Sequence, residues 1–290
     1  MERLTRSALF PLVGVPIHVN RPQHDGHTPL HQHDFLEIAV VLSGKALHRT
    51  IHGVTTVTVG DVFVLRPGDW HAYEACRALR LANCILGLDL LAGPLAWLRN
   101  DPALGQLVLG PATIHLDPTA RERVLAVLER IVALQADGIE RRRIDLIGEL
   151  LLFLAELGRG ITSSPGHRHA PHTAVEQVIA VLTADLARDW ALDGLAATTA
   201  LDPSYLVRLF RKHTGLSPMA WLARARGERS AILLLTTDAA VADIGARVGW
   251  PDPTNFSRRF RSLFRQTPSA YREQLPVPPS DNPPADWIQW

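Results

Sequence analysis

The stretch Asp252–Tyr271, DPTNFSRRFRSLFRQTPSAY, is written twice in this chain. Its other copy, Asp202–Trp221, reads DPSYLVRLFRKHTGLSPMAW. Seven positions repeat in register: Asp202/Asp252, Pro203/Pro253, Arg208/Arg258, Phe210/Phe260, Arg211/Arg261, Pro218/Pro268 and Ala220/Ala270. Each copy predicts a helix with a marked start. The Asp caps the first amides, and the Pro at the first helical position lacks only an N–H that would have no partner there. In front of each copy lies a segment of small residues, LAATTAL at 195–201 and IGARVGW at 244–250, suited to a short helix packed closely on the next one. Gly249 stands at the tight turn where the first copy has Ala200, and Pro251 lengthens the second turn by one residue. Short helix, tight turn and capped helix make the helix-turn-helix pattern.

The outward face of each capped helix decides its chemistry. In the first copy Leu206, Leu209 and Phe210 form the apolar stripe, leaving Ser204, Val207, Arg208, Arg211 and Lys212 outward. In the second, Phe256, Phe260 and either Phe264 or Leu263 turn inward, leaving Thr254, Ser257, Arg258, Arg261 and Arg265 outward. Neither helix carries an acid after its cap. Hydroxyls and arginines on one face suit the DNA major groove, where Arg grips guanine O6 and N7 and further arginines hold phosphates. One such helix alone reads as a solvated basic face. Two of them, each behind its own turn, point to double-stranded DNA.

These residues resemble the AraC/XylS family of bacterial transcription regulators over Val175–Gln274. The likeness takes in a connecting helix near Ala220–Leu235 and the closing TPSAYRE at Thr267–Glu273. It implies a DNA-binding domain that sets both recognition helices in successive major-groove segments, about 34 Å apart. It also implies base contacts from Ser204, Val207 and Arg208 in the first helix, and from Thr254, Ser257 and Arg258 in the second. Pro253 sits where some members carry a base-reading polar side chain, and Val207 offers only apolar contact.

The first half has a different period. Phe35–Leu42, Lys45–Ile51, Val54–Val59 and Asp61–Leu65 alternate with period two, and Ser43-Gly44, His52-Gly53, Gly60-Asp61 and Pro67-Gly68-Asp69 punctuate them. Further strands are expected at Tyr73–Cys76 and Leu79–Leu86. Many short strands with turn signals predict an antiparallel β-barrel. His31-Gln-His33-Asp-Phe-Leu-Glu37 followed by Gly44 resembles the first cupin motif, and Gly60-Asp61 through Pro67-Gly68 to His71 approximates the second. Ala75 departs from the frequent Asn of that second motif, which also carries one extra residue before Pro67. The likeness extends to the sensor domains of the same regulator family, and among them to the branch containing the rhamnose regulators.

Three readings of His31, His33, Glu37 and His71 compete. They line a pocket for a small polar effector such as a sugar, they hold a divalent transition ion, or they are remnants that hydrogen-bond near the barrel mouth. The second reading makes the protein a metal- or redox-responsive regulator. A cupin enzyme fused to a DNA-targeting module is a further alternative, although no nucleophile–base pair and no phosphate loop is present. No cofactor other than that divalent metal is suggested.

The fold class expected is α+β in two domains, a cupin-like barrel with two following helices and an all-α domain with two helix-turn-helix units. Residues 1–160 form the effector-binding and dimerisation domain, 161–174 a flexible linker, 175–275 the DNA-binding domain, and 276–290 a Pro-rich disordered tail ending in Trp287 and Trp290. Pro118–Ala136 and Gly138–Gly158 read as helices that cover the barrel's open side. By resemblance one of them pairs with its counterpart in a homodimer. His167, His169 and His172 fall in the linker and read as solvated. The net charge of +1 hides an asymmetry, with 13 Lys/Arg against 10 Asp/Glu in Val175–Leu275 and 17 against 19 elsewhere. DNA binding is therefore expected to need both helices and to be salt-sensitive. Cys76 and Cys84 read as free thiols of a reducing cytoplasm, and neither a membrane span nor a secretion signal is evident. The family resemblance implies activation through RNA polymerase; the residues themselves are equally compatible with repression.

Overall fold

A computed structural model describes residues 2–4, 10, 15–50, 53–88, 90, 104, 113–136, 142–163 and 173–273. The first half is one nine-stranded sheet: β1 (Glu2–Leu4), β2 (Ile17–Asn20), β3 (Gln23–Gly26), β4 (His31–His33), β5 (Leu36–Thr50), β6 (Gly53–Thr58), β7 (Asp61–Leu65), β8 (Trp70–Leu86) and β9 (Thr113–His115). The central path is β1-β4-β8-β5-β7-β9, with β2 and β3 also on β8 and β6 also on β5. Every pairing is antiparallel except β1 with β4.

Two strands are longer than the punctuation predicts. Ser43-Gly44 does not end a strand; β5 runs straight through it, and β8 fuses the two segments expected at Tyr73–Cys76 and Leu79–Leu86. The pairing slips between Val41 and Leu47, which marks bulges and not a turn. Ala75 and Ala78 take positive φ on the β8 side, and Gly44 lies so close to β8 that a β-carbon there would strike the Ala78 carbonyl. A bulge carries the residues of a turn without reversing the chain. These bends let β5 and β8 curl, so each serves strands on both sides of the sheet.

Helices α1 (Pro118–Ala136) and α2 (Arg143–Ser163) pack on each other and close one side of the sheet. Gln135 of α1 accepts from the Val19 N–H at 2.7 Å, and Arg123–Glu156 (2.9 Å) and Arg130–Glu149 (2.8 Å) tie α1 to α2. The helix α2 starts later than the expected Gly138 and continues past Gly158 and Gly160. A β-carbon at Gly160 would strike the Leu116 side chain, so glycine within the helix permits close packing two residues beyond Gly158, the expected end of the helix. The expected linker therefore overlaps the end of α2. His167, His169, His172 and the 276–290 tail lie outside the described residues.

The second half holds α3 (Thr173–Ala184), α4 (Leu192–Thr198), α5 (Pro203–Thr214), α6 (Pro218–Thr236), α7 (Val241–Arg247), α8 (Pro253–Phe264) and α9 (Pro268–Arg272). The units α4–α5 and α7–α8 are joined by α6. Ala200 (φ 53°) and Gly249 (φ 84°) both turn left-handed, so the two tight turns share a backbone despite their different residues. Among the described residues no helix is long and apolar enough to cross a membrane.

Candidate nucleic-acid interface and effector site

The repeated motif builds two equivalent recognition helices. Asp202 accepts from the Ser204 and Tyr205 amides at 2.9 and 3.0 Å, and Asp252 from the Asn255 amide at 2.6 Å. Ser217 and Thr267 repeat the device at the starts of α6 and α9, each ahead of a proline. Leu206, Leu209 and Phe210 are buried in the first unit, and Phe256, Phe260 and Phe264 in the second, with Leu263 half-buried. The faces left outward hold the candidate DNA residues. Ser204, Arg208, Arg211, Lys212, Thr254, Arg258 and Arg261 are exposed, while Val207 and Ser257 are partly covered. Arg265 is exposed too, but it follows the helix as its left-handed cap at φ 58°.

Arg208 and Arg258, the arginines expected to read bases, are held by a neighbour three residues earlier, a contact that no sequence motif announces. Asn255 Oδ1 accepts from Arg258 Nη2 and from Arg259 Nε, both at 3.0 Å. In the first helix the Arg208 guanidinium lies over the Tyr205 ring at 5.8 Å. The i, i+3 spacing is the one signal that could have found them. Arg226 of α6 is a further positioning residue that sequence patterns miss. It donates to the Leu186, Arg188 and Gly249 carbonyls at 2.7, 2.7 and 3.0 Å, pinning the second unit's tight turn to the segment after α3.

The sheet gathers a histidine-lined interior. Register places His31 of β4 opposite His71 of β8, and His48 of β5 opposite Tyr73. Side chains alternate along a strand, so His71 and Tyr73 share a face with His31, His33 and His48. The His71 ring is central, with centroids 4.1 Å from His31, 5.7 Å from His33, and 5.5 Å from both His48 and Tyr73. Three of the four expected residues, His33, Glu37 and His71, are buried, and His31 is half-buried. His48 and Tyr73 belong to the same interior, although nothing in the sequence marks these mid-strand residues.

Burial favours the neutral form of four groups in this interior. Burial lowers His33 to about 4 and His48 to about 3, and holds His71 well below the ordinary histidine value. Burial also raises Glu37 to about 8, which leaves it a neutral carboxylic acid. His33 Nε2 and Glu37 Oε2 stand 3.7 Å apart. With both groups neutral, this is not an ion pair. His33 Nδ1 lies 2.8 Å from the Phe35 carbonyl and must donate to it, so Nε2 is left as an acceptor. His33 Nε2, His48 Nε2, both His71 nitrogens and the Tyr73 hydroxyl are buried without a hydrogen-bond partner among the described residues. Among the described residues no group of three or more His, Cys, Asp or Glu is placed to hold a metal ion.

Residues 195–274 match the helix-turn-helix domain family, and residues 13–152 match the AraC-like ligand binding domain. The chain belongs to the AraC family. It is a DNA-binding transcription regulator with a ligand-binding domain. Similar proteins include the HTH-type transcriptional activator RhaR of Mannheimia succiniciproducens, 24% identical over 263 residues, covering 90% of this chain and 92% of that one. The HTH-type transcriptional activator RhaS of Salmonella schwarzengrund is 27% identical over 284 residues, covering 91% and 94%. The solved structure of ToxT from Vibrio cholerae aligns over 90% of this chain and 99% of its own, at 14% identity and a TM-score of 0.47.

Proposed function

We propose that this AraC-type regulator senses a small, uncharged, polyhydroxylated effector, a sugar, inside its histidine-lined sheet. The observation that carries the reading is the set of buried polar atoms on His33, His48, His71 and Tyr73 that lack partners among the described residues. Leaving such atoms unsatisfied costs roughly 1–3 kcal/mol each. A hydroxyl both donates and accepts, so a polyol matches bare imidazole nitrogens and hydrogen-bearing groups together. A fully charged ligand would enter an interior whose own groups are neutral and supply no counter-charge. The names of RhaR and RhaS call them activators, which favours activation, through contact with RNA polymerase, in this chain as well.

Ser204, Val207, Arg208, Thr254, Ser257 and Arg258 are assigned to base reading, and Arg211, Lys212, Arg261 and Arg265 to phosphates. The regulator is read as a homodimer in the cytoplasm, engaging paired half-sites. Its pairing surface is the outer face of α2. Ile144 is 86% exposed, Leu151 and Leu152 are exposed beside it, and Leu134, Ile144, Gly148 and Leu152 help line a groove of about 800 Å³.

A thermal-shift screen of the full chain tests the sensor reading, using neutral hexoses and deoxyhexoses, the matching uronates, and divalent metals. A ligand at a hundred times its Kd stabilises the folded state by about 2.7 kcal/mol. A neutral sugar should stand out, and Tyr73→Phe or His71→Ala should remove its effect. A response to metal alone would put the metal-responsive reading in its place, and a response to uronates alone would overturn the neutral-ligand argument.

A further inference from the structure

The sensor half and the DNA-binding half meet through a buried charge pair that serves neither base reading nor the histidine interior directly. Asp69 lies in the turn between β7 and β8, and its carboxylate accepts from Arg224 of α6 in a two-pronged contact, with Nη1 to Oδ2 at 3.4 Å and Nη2 to Oδ1 closer. Both side chains are about nine-tenths buried. Burial alone would push the Asp69 carboxyl up, but Arg224 and Arg66 outweigh it and hold it below the ordinary value. The same carboxylate accepts from the Arg66 amide at 3.2 Å, so Asp69 closes its own turn and grips α6 at once. The adjacent Gly68 sits at φ 82°, where a β-carbon would strike the Leu263 carbonyl of α8. Leu263 is also wedged from the other side, since a β-carbon on Gly227 of α6 would strike its side chain. The turn therefore seats in the corner between the connecting helix and the second recognition helix.

Its other end is joined to the histidine interior. The Gly68 N–H donates to the His33 carbonyl at 2.9 Å, and His71 follows Asp69 by two residues at the start of β8. Two residues of the histidine interior are thus fixed to the turn, His33 through its backbone carbonyl and His71 by the chain itself. The first helix-turn-helix unit is attached differently. Its buried residues form a separate apolar cluster, whereas those of the second unit belong to the cluster that includes the sheet and α1–α2.

We propose that residues 66–69 are the transmission element of this regulator, an inter-domain latch through which the occupant of the histidine interior sets the position of α8 while leaving α5 alone. Asp69, Gly68 and Arg224 act here as positioning residues. The proposal rests on the histidine interior being the sensor site. A ligand that shifts His33 or His71 moves the turn, and the turn moves α8 because a buried, geometrically defined ion pair and a carbonyl contact leave little slack.

A double-mutant cycle on the full chain tests it, with no effector needed. The readout is affinity for a duplex selected from a random pool by the wild-type chain. His71→Ala should change the Kd by about fivefold or more in the wild-type background, and by less than about twofold once Arg224→Met has opened the latch. Gly68→Ala, which keeps the charges but displaces the turn, should uncouple His71 in the same way. If Arg224→Met does not fold, Asp69→Asn and Gly68→Ala carry the cycle. Hydrogen exchange adds a readout that mere stabilisation would not move: His71→Ala should raise exchange in the last turn of α8 and not in α5. An equal factor in both backgrounds, no effect of His71→Ala in the wild type, or equal exchange changes in α5 and α8 would overturn the latch. Silence in the sugar and metal screen together with a coupled cycle would instead retain the latch and remove the sensor reading.

Discussion

The two helix-turn-helix units share a plan and differ in what they are attached to. Phe210 packs edge-on against Trp221 at 6.4 Å in a core that the first unit shares with α3 and the start of α6. Phe260 sits among Phe256, Phe264 and Tyr271 at 5.9, 4.5 and 5.3 Å, in a core continuous with the sensor half. Duplication gave both units the same caps and turns, so the difference lies in their surroundings. Under the latch proposed above the units take separate tasks: both are needed to hold DNA, and the second is the one an effector would move.

The largest test of that contrast is in the two cores. Phe210→Ala and Phe260→Ala each remove a fully buried ring and should cost about 3–5 kcal/mol. Urea unfolding followed by segment-resolved hydrogen exchange should show the loss confined to the first unit for Phe210→Ala. For Phe260→Ala it should spread to residues of α1, α2 and the sheet. Identical spread for both variants would mean that the two cores are one cooperative unit and that the contrast is only geometric.

Acidity should separate the halves next. Between about pH 4 and 6.5 the unfolded chain binds protons on His33, His48 and His71 that the folded chain refuses, so stability rises with pH there. Glu37 has the opposite sign. Its folded value of about 8 lies above the ordinary 4.5, so stability falls as pH climbs between those values. The buried histidines dominate the acid side and Glu37 the side above the ordinary histidine value, so the sensor half's stability passes through a maximum between the two limbs. The alkaline limb should fall by at most about 1.4 kcal/mol per pH unit, and Glu37→Gln should flatten it. Thermal melting across pH checks both limbs, and the first helix-turn-helix unit should not follow them.

How much of this is legible in the sequence depends on range. Caps, turns and apolar stripes are set by residues within a few positions of each other, so the spacing of residues along the chain is enough to place Asp202, Asp252, Ala200 and Gly249. The histidine interior is half legible. His31 and His33 alternate on one short strand and announce themselves, but His48 joins them only because the β5–β8 register sets it opposite Tyr73. Bulges at Gly44 hide that register by carrying the residues of a turn. The Asp69–Arg224 pair spans 155 positions, and no local pattern predicts a contact at that distance.

Base reading offers a smaller contrast. Arg258→Ala should cost about 1–3 kcal/mol of specific binding and relax preference at one base pair, and Arg261→Ala should weaken all duplexes alike. Asn255→Ala should lose part of the Arg258 effect, about 0.5–1.5 kcal/mol, without altering the salt dependence. Tyr205→Leu should do the same to Arg208 in the first helix, by about 0.5–1 kcal/mol. Binding titrations against single-base operator variants decide between these expectations. If Asn255→Ala weakens every duplex equally, the hydrogen bond to Arg258 does not orient a reading side chain.

The smallest effect concerns the residues that end the two helices. Gly215 (φ 74°) and Arg265 (φ 58°) occupy the same left-handed cap, but only glycine adopts it without strain. Gly215→Ala should therefore destabilise the chain by roughly 1 kcal/mol. Arg265→Gly removes a similar strain but gives the unfolded chain more freedom, so its net gain should be only a few tenths of a kcal/mol. A side chain retained in a strained position needs a compensating role, and Arg265 is exposed beside a helix assigned to the major groove. Arg265→Gly should accordingly raise stability slightly while lowering affinity for every duplex, and it should reduce the slope of log K against log salt by about 0.9. Denaturation and salt titration of the same variant read the two signs separately. A stabilised chain with an unchanged salt slope would remove Arg265 from the DNA interface and leave its strain without a functional counterpart.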